Sequence, residues 1–212
     1  MNDIFPQYRG KTLDNFEAVT PNLKEAVIAV QDYINDLGDM KDAGRGITFM
    51  GQNGVGKTHL ACCVMSAAKG YQPRPTVRPY KIECIELSTY IKLWQELWRV
   101  SKSDYDEDQE RAHYLGEQLR LIERVQFLLL DDLGREHASD SGWSNEQVFD
   151  LLRYRWNRRL PTLVTTNLQL PGLDRRYTEG MSSFLHEATV LVIMDGEDYR
   201  VANADASWTD RD

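Results

Sequence analysis

Apolar residues along this chain fall into five short runs separated by stretches of helical periodicity. Ile47-Thr48-Phe49-Met50, Ile82-Glu83-Cys84-Ile85-Glu86-Leu87, Phe127-Leu128-Leu129-Leu130, Thr162-Leu163-Val164-Thr165-Thr166-Asn167 and residues 188–194 read as strands. The third run is continuously apolar, as in a central parallel strand buried on both faces. Pro21 suits the first turn of a helix reaching about Asp36, with Thr20 as its cap. Asp39 to Gly46 reads as a polar turn. A helix from Lys57 to about Lys69 is broken by Gly70 and by prolines at 73, 75 and 79. Ser88 or Thr89 caps the next helix, whose face of Tyr90, Ile91, Leu93, Trp94, Leu97 and Trp98 reads as packing rather than as a cofactor site.

Ser101 to Glu110 is acidic and polar and reads as a loop, followed by a helix around His113–Arg124. Asp140 to Trp143 forms a turn, and Ser144 caps a helix carrying Val148, Phe149, Leu151, Leu152 and Tyr154 that closes at Leu160-Pro161. Asp195-Gly196 suits a tight turn. Asp198-Tyr199-Arg200 opens a short last piece, and the tail from Ala204 is polar and acidic. The expected organisation is an N-terminal segment and first helix (1–46) joined to a core (47–203), then the tail (204–212).

Composition narrows the setting. A length of 212 residues with 42% hydrophobic content suits one α/β domain. Three cysteines, Cys62, Cys63 and Cys84, lack metal-ligand spacing and fit a reduced, cytoplasmic protein that uses them as small hydrophobes. Neither a signal peptide nor a membrane span is expected. A net charge of −8 argues against a protein that coats nucleic acid. Local basic strips remain, at Arg153, Arg155, Arg158 and Arg159 and at Lys92 and Arg99. They read either as solvated or ion-paired helix surface, or as contacts to nucleic acid or a second subunit.

The chemistry begins at Gly51-Gln52-Asn53-Gly54-Val55-Gly56-Lys57-Thr58, a G-x-x-x-x-G-K-T run between a strand and a helix start. Backbone N–H groups in such a loop wrap a phosphate, and the helix N-terminus adds partial positive charge. Lys57 is placed to reach β- and γ-phosphates, and Thr58 offers a hydroxyl to Mg²⁺. Two carboxylates follow the third strand, at the strand end where open α/β sheets gather ligands. Asp131 suits Mg²⁺, and Asp132 suits orientation of the water attacking a γ-phosphate. Asn167 ends the fourth strand beside them, either sensing the γ-phosphate or serving as a turn residue.

Taken together, residues 51–60, Leu128-Leu129-Leu130-Asp131-Asp132-Leu133-Gly134, Ser141-Gly142-Trp143, the run 161–168 and Gly196-Glu197-Asp198-Tyr199-Arg200 resemble the AAA+ ATPases of the bacterial and phage DnaC/DnaI helicase-loader family, with the transposition ATPase IstB as a relative. The resemblance spans roughly residues 12 to 201 and keeps the family's motif order. It implies a P-loop α/β fold with a central five-stranded parallel sheet flanked by helices and no substantial separate lid domain. It also implies ATP and Mg²⁺ as ligands, held by the loop residues with His59, and by Phe16 in Leu13-Asp14-Asn15-Phe16, the stretch that frames adenine. In the same way Asn167 takes the sensor-1 position and Arg200 the sensor-2 position. Arg176, with Arg175 as fallback, takes the arginine finger that acts on a neighbouring subunit. The pattern's second arginine is missing here, replaced by Gly180 or, in another alignment, Phe184.

About 50 residues precede the phosphate loop, which leaves no obvious room for the N-terminal helicase-binding region of cellular loaders. The expected activity is ATP hydrolysis by a helicase loader that forms a nucleotide-dependent homo-oligomer and contacts single-stranded DNA and a replicative helicase. Alternatives are a helper ATPase working with a transposase, an ATP-dependent adaptor with little turnover, and a P-loop kinase for a small acceptor. The Asp131-Asp132 pair followed by Thr165-Thr166-Asn167 favours water activation over the kinase.

Overall fold

In the computed structural model, residues 4–72, 74–76, 78–135 and 142–199 are described. Five strands, β1 (Gly46–Gly51), β2 (Ile82–Glu86), β3 (Phe127–Leu133), β4 (Thr162–Thr166) and β5 (Thr189–Met194), form one sheet in the order β2-β3-β4-β1-β5. Every pairing is parallel, the arrangement that alternating strands and helices dictate. The strands read from the apolar runs hold to within a residue or two, except that β3 runs three residues past Leu130, through the acidic pair to Leu133. Strand β4 stands between β1 and β3, so the glycine-rich loop after β1 and the acidic pair of β3 are bridged by the end of β4.

Helices cover both faces: α1 (Pro21–Asn35), α2 (Leu37–Ala43), α3 (Lys57–Gly70), α4 (Leu87–Val100), α5 (Asp106–Arg124), α6 (Trp143–Asn157), α7 (Leu170–Arg176) and α8 (Met181–Ala188). Phe127 and Leu129 of β3 join Leu163 of β4 in a core shared with α1, α2 and α3. Leu128 and Leu130 point the other way, with Val164, into a core shared with α4 to α8. This alternation explains why β3 had to be apolar at consecutive positions. In α1, Thr20 Oγ1 accepts from Leu23 N–H at 3.2 Å and Pro21 opens the first turn, while Leu23, Ala26, Val30 and Tyr33 face inward.

The structure corrects several local expectations. The polar turn before β1 is largely helix α2: Leu37 and Met40 turn inward beneath its charged residues. It stops at Gly44, where φ is 74° and a Cβ would lie 2.4 Å from Arg159 Cα, so a glycine is needed. The acidic loop is a helix from Asp106 on, because Asp106, Glu107 and Asp108 occupy a first turn, where negative charge complements the helix dipole. Strand β2 runs straight into α4, which places Ser88 and Thr89 inside the helix rather than at its cap. Gly142 holds the cap position of α6, and Ser144 sits in its first turn. Helices α7 and α8 are additions to the sequence reading. Trp98, read as packing, is 64% exposed, with Lys102 Nζ 4.0 Å from its ring centroid.

The basic strip of α6 is also divided. Arg155 is fully buried: Nε donates to Thr162 Oγ1 at 2.8 Å, and Nη1 to the carbonyls of Ile122, Glu123 and Val125 at 3.1, 3.0 and 2.9 Å. Nη2 donates to Pro161 O at 2.9 Å. Arg155 therefore caps the open end of α5 and ties it to β4, a structural clip rather than a surface contact. Its neighbours lie over rings, Arg153 at 4.7 Å from Phe149 and Arg158 at 3.8 Å from Tyr154.

Candidate functional site

The loop after β1 turns through two glycines with positive φ, Gly54 at 74° and Gly56 at 98°, and delivers the chain into α3. A Cβ on Gly56 would stand 2.4 Å from Phe16 Cε2, so the ring closes directly against the loop. Lys57 is buried within the loop it ends, its Nζ donating to Gly51 O at 2.9 Å and Gln52 O at 2.6 Å. Those two residues thus serve through their carbonyls, while Asn53 to His59 line an open cleft of about 690 Å³. Such a volume is within the usual range for small-molecule sites.

Phe16 sits on a segment fixed by reciprocal bonds. Thr12 N–H donates to Asn15 Oδ1 at 2.9 Å, and Asn15 N–H to Thr12 Oγ1 at 3.3 Å. His59 Nε2 lies 2.9 Å from Thr12 O, and its ring stands edge-on to Phe16, with centroids 5.1 Å apart. Burial holds the His59 imidazole below its usual pKa, a loss that the Thr12 carbonyl opposes. From the other side Tyr199 N–H donates to Gly54 O at 3.2 Å, and Tyr199 OH donates to Glu17 Oε1 at 2.8 Å. The wall therefore joins the N-terminal segment, the loop and the chain after β5.

Opposite the loop, β3 bulges. Leu130 pairs with Val164 and Leu133 with Thr166, so β3 spends one residue more than β4 over this interval. The interval holds Asp131 and Asp132, and Asp132 takes a φ of 60°, uncommon for a residue with a side chain. Thr58 Oγ1 donates to Asp131 Oδ1 at 3.0 Å, and Thr165 Oγ1 donates to the same oxygen at 2.5 Å. Thr165 Oγ1 in turn accepts from Asp132 N–H at 2.9 Å. One hydroxyl of β4 therefore fixes both acidic residues.

Burial pushes the Asp131 carboxyl up to about 6; Asp132 and Glu86 add to the rise, while the Thr165 and Thr58 hydroxyls oppose it. Glu86, which pairs with Asp131 across β2 and β3, also lines the cleft. Thr165 entered the sequence reading only within the Thr165-Thr166-Asn167 run, with no role of its own, and Glu86 was not singled out. The signal for the first was a pair of threonines ending an otherwise apolar strand; for the second, an acid at the end of a neighbouring strand.

The remaining expected site residues are spread more widely. Asn167 follows β4, and its Oδ1 is buried with no hydrogen-bond partner among the described residues. It stands outside the set that lines the cleft. Arg176 ends α7, where Asn145 Nδ2 donates to its carbonyl at 2.7 Å, and it too lies outside that set. Asp174, on the same helix, accepts from Ser182 N–H at 2.9 Å and Ser182 Oγ at 2.5 Å. Arg175 is exposed. Arg200 lies outside the described residues. No helix among the described residues is long and apolar enough to cross a membrane.

No family model matches the chain. In sequence it is 27% identical over 187 residues to the phage-like element PBSX protein XkdC of Bacillus subtilis (strain 168), covering 84% of this chain and 62% of that protein. It is 28% identical over 161 residues to a protein described as ATP-binding from insertion sequence IS232 of Bacillus thuringiensis subsp. berliner, covering 73% and 55%. The chain thus spans little more than half the length of these curated relatives. In structure it is similar to the DnaC helicase loader, with a TM-score of 0.69 and 24% identity over 90% of this chain and 100% of that one. It is also similar to the replication initiator DnaA bound to AMPPCP and single-stranded DNA, with a TM-score of 0.65 and 17% identity over 98% and 58%. The fold is accordingly that of the AAA+ P-loop proteins, and the resemblance to the DnaC/DnaI loaders and to insertion-sequence ATP-binding proteins is borne out.

Proposed function

We propose that this chain is an ATP-hydrolysing switch of DNA replication, a helicase loader that binds Mg²⁺-ATP and changes its association with single-stranded DNA and a replicative helicase on hydrolysis. The observation that carries the reading is the meeting of Thr58 and Asp131 at 3.0 Å in the cleft that Gly54, Gly56 and Lys57 also line. A hydroxyl and a carboxylate form a hard-oxygen set suited to Mg²⁺, which takes one or two protein oxygens and completes its shell with phosphate and water. Bound there, Mg²⁺ would neutralise charge on the β- and γ-phosphates.

The chain's own residues account for the rest of the chemistry. The loop N–H groups and Lys57 bind and orient the phosphates, and Phe16 with His59 walls the base. Asp132 orients the attacking water and takes up its proton as the new P–O bond forms and the bond to the β-phosphate oxygen breaks. Asn167, with an uncommitted amide oxygen near the end of β4, reports the γ-phosphate. Arg176, away from its own cleft, acts on the site of a neighbouring subunit in a homo-oligomer, and Arg200 acts as the second sensor.

Hydrolysis is measured for the wild type and Lys57→Ala with and without single-stranded DNA, beside equilibrium binding of a fluorescent ATP analogue. Binding and turnover in the wild type, both lost in Lys57→Ala, are the expected result. Absence of binding in the wild type would refute the reading. The IS232 relative favours a second role, as helper of a transposase. Reconstitution separates the two: a loader promotes entry of a replicative helicase onto covered single-stranded DNA, whereas a helper stimulates strand transfer.

A further inference from the structure

The inference concerns control of the same site and rests on the proposed hydrolysis. The Asp132 carboxylate, which that chemistry needs for water, already has a partner within the chain: Arg135 Nη1 donates to Asp132 Oδ2 at 3.1 Å. Backbone geometry delivers the arginine there. Immediately after Asp132 the chain reverses, with Arg135 N–H donating to Asp132 O at 3.1 Å and Gly134 at a φ of 96°. A Cβ on Gly134 would lie 2.5 Å from Leu168 Cδ1, so the turn is packed tightly against the residue that follows Asn167. Asp132 is held just as firmly, at a φ of 60° with its N–H on Thr165 Oγ1. Both ends of the ion pair therefore ride on constrained backbone, and both side chains line the cleft.

We propose that Arg135 is a brake on hydrolysis acting in cis, a positioning residue that occupies one oxygen of Asp132 and turns it from the attacking water. An oxygen that accepts a charge-assisted bond from a guanidinium has less electron density to offer a water proton. The Arg135 side chain is 71% exposed, and exposed ion pairs are weak enough to open when another surface competes for the guanidinium. The pair thus slows turnover without abolishing it, and contact at the outer edge of the cleft relieves it.

Steady-state hydrolysis by the full chain tests this, with kcat and KM for Mg²⁺-ATP measured for the wild type, Arg135→Ala, Arg135→Lys, Asp132→Asn and the double variant Arg135→Ala/Asp132→Asn. Arg135→Ala should raise kcat about two- to fivefold, the range open to an exposed ion pair, with KM unchanged. Arg135→Lys, which keeps the charge and loses the fork, should fall between it and the wild type. The double variant should be as slow as Asp132→Asn, showing that the gain passes through that carboxylate. A kcat at or below the wild-type value, or a raised KM, would make Arg135 an ordinary phosphate contact and overturn the brake alone. If neither wild type nor Arg135→Ala turns over while both bind the fluorescent analogue, the hydrolysis reading fails and the brake with it. Turnover appearing only in Arg135→Ala would be the strongest support.

Discussion

Asp131→Asn should make the ligand-free protein more stable at neutral pH while ending its stabilisation by Mg²⁺-ATP. The ordinary carboxyl value for Asp131 is 3.8, and burial in the fold raises it to about 6. A difference of about 2 pH units, at about 1.4 kcal/mol each, corresponds to ~3 kcal/mol. Only 7% of the residue is exposed, so solvent screening removes little of this. Because the folded value is the higher one, the favourable contribution is complete below about pH 3.8 and is lost as pH rises through about 6. Above that the wild type folds around an ionised carboxylate at full cost.

Asn is neutral, nearly isosteric, and still accepts from Thr58 and Thr165, so it mimics the protonated acid. For a chain of this size ~3 kcal/mol corresponds to a rise of roughly 6–12 °C in Tm, an upper figure if the site relaxes around the charge. Thermal unfolding of both proteins at pH 7.5, 6 and 4, with chelator present, reads the effect. The Asn variant should lead at pH 7.5, and the gap should narrow toward pH 4. Added Mg²⁺-ATP should raise the wild-type Tm and leave the variant behind. A variant less stable than wild type at pH 7.5 without ligand, or a gap that ignores pH, would refute the assignment of the cost to a buried carboxylate.

Three further outcomes follow from the geometry. Arg155→Ala leaves the carbonyls of Ile122, Glu123, Val125 and Pro161 without their donor, and should cost about 3–5 kcal/mol in guanidinium chloride denaturation; an unchanged midpoint would show the clip to be dispensable. Gly56→Ala meets both a φ of 98° and Phe16, and should weaken binding of a fluorescent ATP analogue at least about tenfold, since left-handed strain alone costs about 1–2 kcal/mol; unaltered affinity would mean the loop can re-form around a side chain. Arg176→Ala and Lys57→Ala, each slow alone, should regain ATPase activity when mixed if Arg176 serves a neighbour's site; no recovery over the sum of the two would remove Arg176 from that role.

The strands, their parallel sense and the phosphate loop were legible because each is written in a local pattern. A continuous apolar run such as 127–130 must be buried on both faces, and a G-x-x-x-x-G-K-T run fits few backbones. Helix α2 was hidden because its charges outnumber its inward residues, and the start of α5 because acids suit both a solvated loop and a helix first turn. Arg155 could not be told from its exposed neighbours, since its burial depends on where α5 ends and β4 begins rather than on anything in α6. The bulge in β3 was equally out of reach: its cause is register against β4, a property of two strands distant in sequence.

Several departures from comfortable local structure meet at one place, although Arg159 also takes a φ of 53° and Asn145 Oδ1 is buried without a partner among the described residues, both away from it. At the ends of β3 and β4 lie an extra residue in the ladder, an aspartate with φ of 60°, a buried carboxyl raised to about 6 and an asparagine oxygen without a partner among the described residues. The clip of Arg155 is the contrast, a buried group well supplied with partners. Such clustering is expected where a structure keeps groups ready for a ligand rather than for itself. A divalent cation would offset the charge on Asp131, and a γ-phosphate with its water would give Asp132 and Asn167 something to bind. Arg135 supplies to Asp132 within the chain part of what a bound γ-phosphate and its water would supply, which is why removing it should quicken turnover rather than slow it.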